Sequence, residues 1–174
     1  RIFWDNAYCV HHLGSGPAPL ADILEHCRRA GTPERPILFG STSKISFAGS
    51  GLAFMAGSTT TMDWARGHLG FQTIGPDKLN QLRHVRFFGD PAGIERHMQG
   101  HAAILKPKFD AVQEVLGREL AGKGVAEWTR PAGGYFTSVD TWDGCARRVI
   151  QLAAEAGVKL TPAGSTYPYK RDPR

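Results

Sequence analysis

Cysteine is scarce: Cys9, Cys27 and Cys145 are the only three in 174 residues, an odd number with no C-x-x-C spacing. That excludes a disulfide framework or a zinc knuckle and leaves them as reduced, structural side chains. Long apolar runs are missing as well. None approaches the roughly 18 residues that span a bilayer, and no signal-peptide pattern opens the chain, so a soluble cytoplasmic protein with no membrane contact is expected. Sustained basic runs are absent despite a formal charge of +5. The basic residues fall in pairs such as Arg28-Arg29, Arg147-Arg148 and Lys170-Arg171, without interleaved aromatics. No nucleic-acid partner is therefore expected, and the modest positive field suits anionic small molecules. A metal-ligand pattern is also lacking. His97 and His101 have helical spacing, and His11-His12 and His84 add to the count, but no glutamate follows His97 in the H-E-x-x-H manner. No metal is expected, and these histidines read as residues of solvated faces.

What is present is an ordinary globular balance, 41% hydrophobic and 21% charged, with enough chain for one sizeable core. The chain starts at Arg1, in an apolar run and without methionine, and stops at the turn-like Asp172-Pro173-Arg174. It reads as an internal portion of something longer.

The order of elements points to α/β architecture. Arg1-Ile2-Phe3-Trp4 reads as a buried strand that delivers Asp5 and Tyr8 at its carboxyl end. A Gly/Pro turn over 14–19 leads to a helix from Leu20 towards Gly31, and Pro36-Ile37-Leu38-Phe39 is the next strand. Strand, helix and strand form a βαβ unit, which puts both carboxyl ends on one edge of a parallel sheet. A further short strand lies within 51–57. Helices follow over 60–69, with a threonine cluster as cap, and over 77–85. The longest helical stretch opens at Gly89-Asp90-Pro91 and runs to about Gly122, with Pro107 expected to kink it near Ala103. It reads as a bridge between domains: 1–90 as one domain, 91–123 as the linking helix, and 124–174 as a small α+β region. Two strands, 126–129 and 135–139, are expected there around the turn Pro131-Ala132-Gly133-Gly134, then an amphipathic helix over 143–156 and a short strand Val158-Lys159-Leu160.

One stretch carries chemistry: Phe39-Gly40-Ser41-Thr42-Ser43-Lys44-Ile45-Ser46-Phe47-Ala48-Gly49-Ser50-Gly51. It places a single lysine among hydroxyls and glycines just beyond a strand's carboxyl end, the rim where ligands gather in open α/β sheets. A partly desolvated lysine there can have its pKa lowered enough to act as a nucleophile and form imines. Ser41 and Ser43 could bind a phosphate with help from backbone N–H groups. Alone, the stretch reads more readily as a surface loop with a solubilising lysine, since short motifs of this size recur by accident. The Gly49-Ser50-Gly51 triplet is not a dinucleotide fingerprint, because Phe54 stands where the third glycine belongs.

Four elements in order resemble the fold-type-I pyridoxal-phosphate aminotransferases: Asp5-x-Ala7-Tyr8, Ser41-x-Ser43-Lys44, the long linking helix, and Pro131-x-Gly133-Gly134-Tyr135-Phe136. The fuller wording of the lysine stretch, with Arg83-His84-Val85-Arg86-Phe87-Phe88 and Leu160-Thr161-Pro162-Ala163-Gly164-Ser165-Thr166-Tyr167-Pro168-Tyr169, is similar to the bacterial aspartate aminotransferase subgroup. The resemblance implies that residues 1–90 are the end of a large cofactor-binding domain with a mostly parallel sheet, and that 124–174 belong to an incomplete small domain. It implies that Lys44 holds pyridoxal 5'-phosphate as an imine and later shuttles the substrate's α-proton. Asp5 would keep the pyridine nitrogen protonated, Tyr8 would hydrogen-bond the ring oxygen, and Ser41 and Ser43 would contact phosphate or order the loop. Tyr135 and Phe136 would lie on the substrate side. The substrates would be an amino acid, aspartate or glutamate, and a 2-oxo acid, turned over by a homodimer. The alternatives are a cofactor-binding effector domain of a bacterial transcription regulator and a lyase or decarboxylase. One departure stands out: the family's phosphate-clamping arginine, eight positions after the lysine, is Leu52 here, which shifts phosphate binding onto Ser41, Ser43 and Ser50. The family's α-carboxylate arginine and its glycine-rich phosphate turn would lie outside these 174 residues, which alone are expected to be inactive.

Overall fold

The computed structural model describes residues 1–14, 16 and 20–171. The turn expected over 14–19 falls largely outside them, as does the terminal Asp172-Pro173-Arg174. The chain divides into two units, Arg1–Pro107 with Ala132–Tyr135, and Lys108–Pro131 with Phe136–Arg174.

The first unit is built on a three-stranded sheet in the order β1 (Ile2–Asp5), β2 (Pro36–Ser41), β3 (Ala53–Ala56). β1 and β2 are parallel, with Ile2 opposite Pro36 and Asp5 opposite Phe39. The connection between them contains α1 (Ile23–Arg29), so this is the expected strand–helix–strand unit. β3 runs antiparallel to β2, pairing Ser41 with Ala53 and Leu38 with Ala56, so the sheet within these residues is mixed. The chain leaves β2 at Ser41, makes the lysine loop, and returns beside the same strand.

Helix starts are fixed by side chains that satisfy otherwise unpaired N–H groups. Asp22 caps α1 by accepting from Glu25 N at 3.1 Å, which moves the start to Ile23 rather than Leu20. Ser58, not the threonine cluster, caps α2 (Thr59–Gln72), accepting from Thr61 N at 3.2 Å. Asp77 caps α3 (Lys78–Phe88) through Asn80 N at 3.0 Å. Asp90 accepts from Gly93 N at 2.7 Å in the first turn of α4 (Pro91–Leu120), which continues through Pro107. The two units divide inside this helix, after Pro107.

The core is small. Ile45, Phe88 and Met98 pack together, with Val10 and Ile94 against them. Many large apolar side chains stay exposed, among them Phe3, Trp64, Phe71, Ile74 and Leu79, with Phe71 96% exposed. One sizeable core was the sequence expectation. These residues instead leave much apolar surface uncovered.

In the second unit β4 (Ala126–Trp128) and β5 (Val139–Thr141) form an antiparallel pair. Gln113 in α4 ties this unit together: its amide donates to the Thr129 carbonyl at 3.0 Å and accepts from Trp128 Nε1 at 3.2 Å. Trp142 Nε1 donates to Gly124 O at 2.7 Å. The strand expected over 135–139 begins only at Val139. The helix expected from Asp143 is α5 (Ala146–Glu155). Val158-Lys159-Leu160 is not a strand, because the Val158 N–H is already used on Ala153 O at 2.7 Å, closing the end of α5.

Met98 is 5% exposed and packs with Ile45, the neighbour of Lys44. Met98→Ala in the full-length protein is expected to cost about 2–3 kcal/mol, the low end for a core truncation because this core is shallow. Urea unfolding checks it, and an unchanged midpoint would mean that the cluster contributes no stability.

Candidate functional site

Two parallel neighbouring strands end side by side, and each delivers one of the sequence-predicted groups. Asp5 closes β1, and the next residue, Asn6, donates its N–H to Phe39 O at 2.8 Å, extending the ladder to the rim. Lys44 follows the last residue of β2, Ser41, by three positions. Both Asp5 and Lys44 are exposed. The partial desolvation expected of Lys44 is therefore not supplied by these residues. Asp5 Oδ1 accepts from Ala7 N at 3.1 Å, an Asx turn that starts the segment bearing Tyr8.

The lysine loop is closed by backbone and hydroxyl bonds. Thr42 N donates to Leu52 O at 2.8 Å, and Leu52 N donates to Thr42 Oγ1 at 2.8 Å. The residue standing in place of the expected arginine thus closes the loop through its main chain. Ser41 and Ser43 hydroxyls lie 2.6 Å apart, and Ser43 N donates to Ser41 Oγ at 3.0 Å. Whichever hydroxyl donates to the other, one O–H proton of the pair remains for an outside acceptor. Gly51 is required for this closure: a Cβ there would lie 2.5 Å from Ser43 Oγ and 2.9 Å from Ser43 Cα.

Three histidines grip the same loop, which corrects their reading as residues of solvated faces. His11 is 3% exposed, and His84 is also buried. His11 Nε2 donates to Lys44 O at 3.1 Å and His97 Nε2 donates to Ile45 O at 2.8 Å. A carbonyl only accepts, so each of these nitrogens carries the proton. His84 Nδ1 donates to Asn80 O at 2.8 Å, which leaves Nε2 facing the Thr42 and Ser46 hydroxyls at 3.0 and 2.8 Å. Asn80 adds a bond from Nδ2 to Ser50 O at 2.7 Å. Sequence reasoning missed these residues. The available signal was a concentration of histidine and asparagine on faces that also carry Phe88 and Met98.

Tyr135, in the first unit, donates its hydroxyl to Lys44 O at 3.2 Å. It does not lie in a strand, because the segment before it is spent on residues 11–13. Leu13 N donates to Ala132 O at 2.9 Å, and Gly134 N donates to His11 O at 2.8 Å. Phe136 is 66% exposed and belongs to the second unit. A depression of about 560 Å³ lies between Ser46, Phe47 and Ser50 of the loop and Asn80, Arg83 and Phe87 of α3, and neither Asp5 nor Lys44 borders it. Asp5 and Lys44 sit on an open rim. Among the described residues no cluster of potential metal ligands is found, and no helix is long and apolar enough to cross a membrane.

Burial pushes His11 below its ordinary value of 6.5, against the pull of the Lys44 and Tyr8 carbonyls. Burial also lowers His101, helped by the nearby His97 and His11, and raises Tyr135, with Tyr8 adding to the effect. For a histidine lowered in the fold, the unfolded chain binds more protons. Its contribution is complete above the unfolded value near 6.5 and is lost as pH falls towards the folded one. His11→Gln keeps a side-chain N–H but cannot titrate. Thermal unfolding of the full-length protein should show a shallower loss of stability than the parent as pH falls below about 6.5. Parallel profiles would contradict a buried neutral His11.

The family model described as aspartate amino-transferase matches residues 1–174. An aspartate aminotransferase of Corynebacterium glutamicum is 50% identical over 173 residues, covering 99% of this chain and 40% of the relative. The crystal structure of an aspartate transaminase from Corynebacterium glutamicum matches with a TM-score of 0.91 at 50% identity, over 99% of this chain and 41% of that one. A kynurenine aminotransferase from Pyrococcus horikoshii, solved with PMP, shares the fold at a TM-score of 0.76 and 22% identity, over 98% and 40% of the two chains. The chain spans about 40% of the length of the curated relatives it matches.

Proposed function

This chain belongs to the aspartate amino-transferase family, and from that premise we propose that the whole protein moves an amino group between an amino acid, aspartate or glutamate, and a 2-oxo acid. The observation that carries the reading is the delivery of Lys44 and Asp5 by the adjacent carboxyl ends of two parallel strands. The lyase alternative is not favoured, since the relatives at 50% identity are named as aspartate aminotransferases.

The residues present fit pyridoxal phosphate. Among the described residues the Lys44 ammonium makes no hydrogen bond or ion pair, Asp5 has one carboxylate oxygen without a partner, and the Ser41–Ser43 pair has a hydroxyl proton to give. When bound, the cofactor supplies an aldehyde that takes up an amine and a protonated ring that draws electrons from the substrate's α-carbon. Lys44 would hold the cofactor and, once free, carry the proton released from the α-carbon on its Nζ. The carboxylate charge of Asp5 would keep the ring nitrogen protonated. Ser41 and Ser43 would receive the phosphate, with Leu52 contributing loop closure rather than charge. Tyr8 would donate to the ring oxygen, and Phe136 would face substrate.

Residues 1–90 would be the end of a large domain, 91–123 the linking helix and 124–174 part of a small domain. The exposed Phe71, Ile74 and Leu79 would be covered by the remainder of the longer protein or by a second copy in a homodimer, in the cytoplasm.

The test is to record the absorption of the full-length protein with pyridoxal phosphate, with and without Lys44→Ala, and then to add a panel of amino acids with 2-oxoglutarate. Lys44→Ala should abolish the lysine-bound band and lower turnover by at least about a thousandfold. Aspartate or glutamate should yield the matching 2-oxo acid. A normal band in the variant would remove Lys44 from the role, and a band that changes without release of product would point to a sensor.

A further inference from the structure

We propose that Tyr135 and His11 are positioning residues that hold the main chain of Lys44 and tie it to Tyr8. The inference rests on the reading of Lys44 as the cofactor-bearing amine. The Lys44 carbonyl accepts two side-chain bonds, from His11 Nε2 at 3.1 Å and from the Tyr135 hydroxyl at 3.2 Å. Both lone pairs of that oxygen are then occupied. A residue with a long flexible side chain is held at its backbone by two donors from distant parts of the sequence.

The same two rings also pack on Tyr8. Tyr8 meets His11 edge-on at 5.2 Å between centroids and Tyr135 at 5.4 Å, and His11 meets Tyr135 at 5.0 Å. The three rings form a closed triangle, and two of its members bond to Lys44. A displacement of the lysine backbone is therefore transmitted to the ring that follows Asp5, and the reverse holds.

Tyr135 reaches this position because Ala132–Tyr135 is sewn to residues 11–13. His12 and Gly133 form an antiparallel bridge, and a Cβ on Gly133 would lie 2.3 Å from His11 O. Only glycine permits the approach. Burial favours the protonated Tyr135 phenol and the neutral His11 ring. Each therefore keeps the single proton that it donates.

The test uses the full-length protein loaded with pyridoxal phosphate. Tyr135→Phe keeps the ring and deletes the donor, while His11→Gln retains an N–H and His11→Leu removes it. Three quantities are read: the pH midpoint of the lysine-bound cofactor absorption, kcat and KM for the amino acid, and hydrogen exchange over residues 42–47. Tyr135→Phe should lower kcat about fivefold to tenfold with KM within about twofold, as loss of one hydrogen bond would. It should move the pH midpoint and speed exchange over 42–47. His11→Gln should lie nearer the parent than His11→Leu. If His11→Leu does not fold, Tyr135→Phe decides alone. Parental midpoint, kcat and exchange in Tyr135→Phe would overturn the inference. Lys44→Ala, run alongside, separates the two readings. If it keeps the band, the assignment of Lys44 fails. If it loses the band while Tyr135→Phe changes nothing, only the positioning role fails.

Discussion

A lysine that forms a covalent bond needs a free amine on an immobile backbone, and the junction between Lys44 and Ile45 meets both demands. Lys44 is exposed, while Ile45 is 6% exposed and packed on Phe88 and Met98. The chain passes from solvent to core in one residue. The carbonyls of both residues are held by buried or half-buried imidazoles. The cost of ordering this loop is met by side chains fixed in α3 and α4 and by His11 and Tyr135, so the Lys44 backbone keeps little freedom.

The sheet makes the second contribution. Because β1 and β2 are parallel, the groups at their carboxyl ends share a rim, and because β3 returns antiparallel the loop between β2 and β3 must turn sharply there. Gly51 permits the turn, and Thr42 closes it with main-chain and hydroxyl bonds to Leu52. A strand at this point is thus followed by a compact loop, its Thr42 and Ser46 hydroxyls turned to the buried His84 and its one amine left exposed.

Much of this was legible in the residues. Period and breakers located β1, β2 and every long helix, because such elements are set by local patterns of apolar spacing and by caps such as Asp77, although β1, read as a buried strand, is largely exposed in these residues. The stretch around Lys44 stood out as a lysine among small hydroxyl residues after a strand, and it does follow the carboxyl end of β2. The histidines were misread, since local pattern cannot say that a ring on α3 or α4 meets a carbonyl from residue 45 or Thr42. Tyr135 was expected in a strand, but Gly134 N bonds to His11 O and Gly133 bridges His12, both far away in sequence. The core was expected to be larger than it is. Composition counts apolar residues but does not say which of them this stretch of chain can cover.

The most direct measurement is to reduce the full-length protein with borohydride in the presence of pyridoxal phosphate and locate the modified residue by peptide mass spectrometry. The account predicts a single pyridoxyl group on Lys44. A group on Lys78, Lys106 or any other lysine, or none at all, would contradict it.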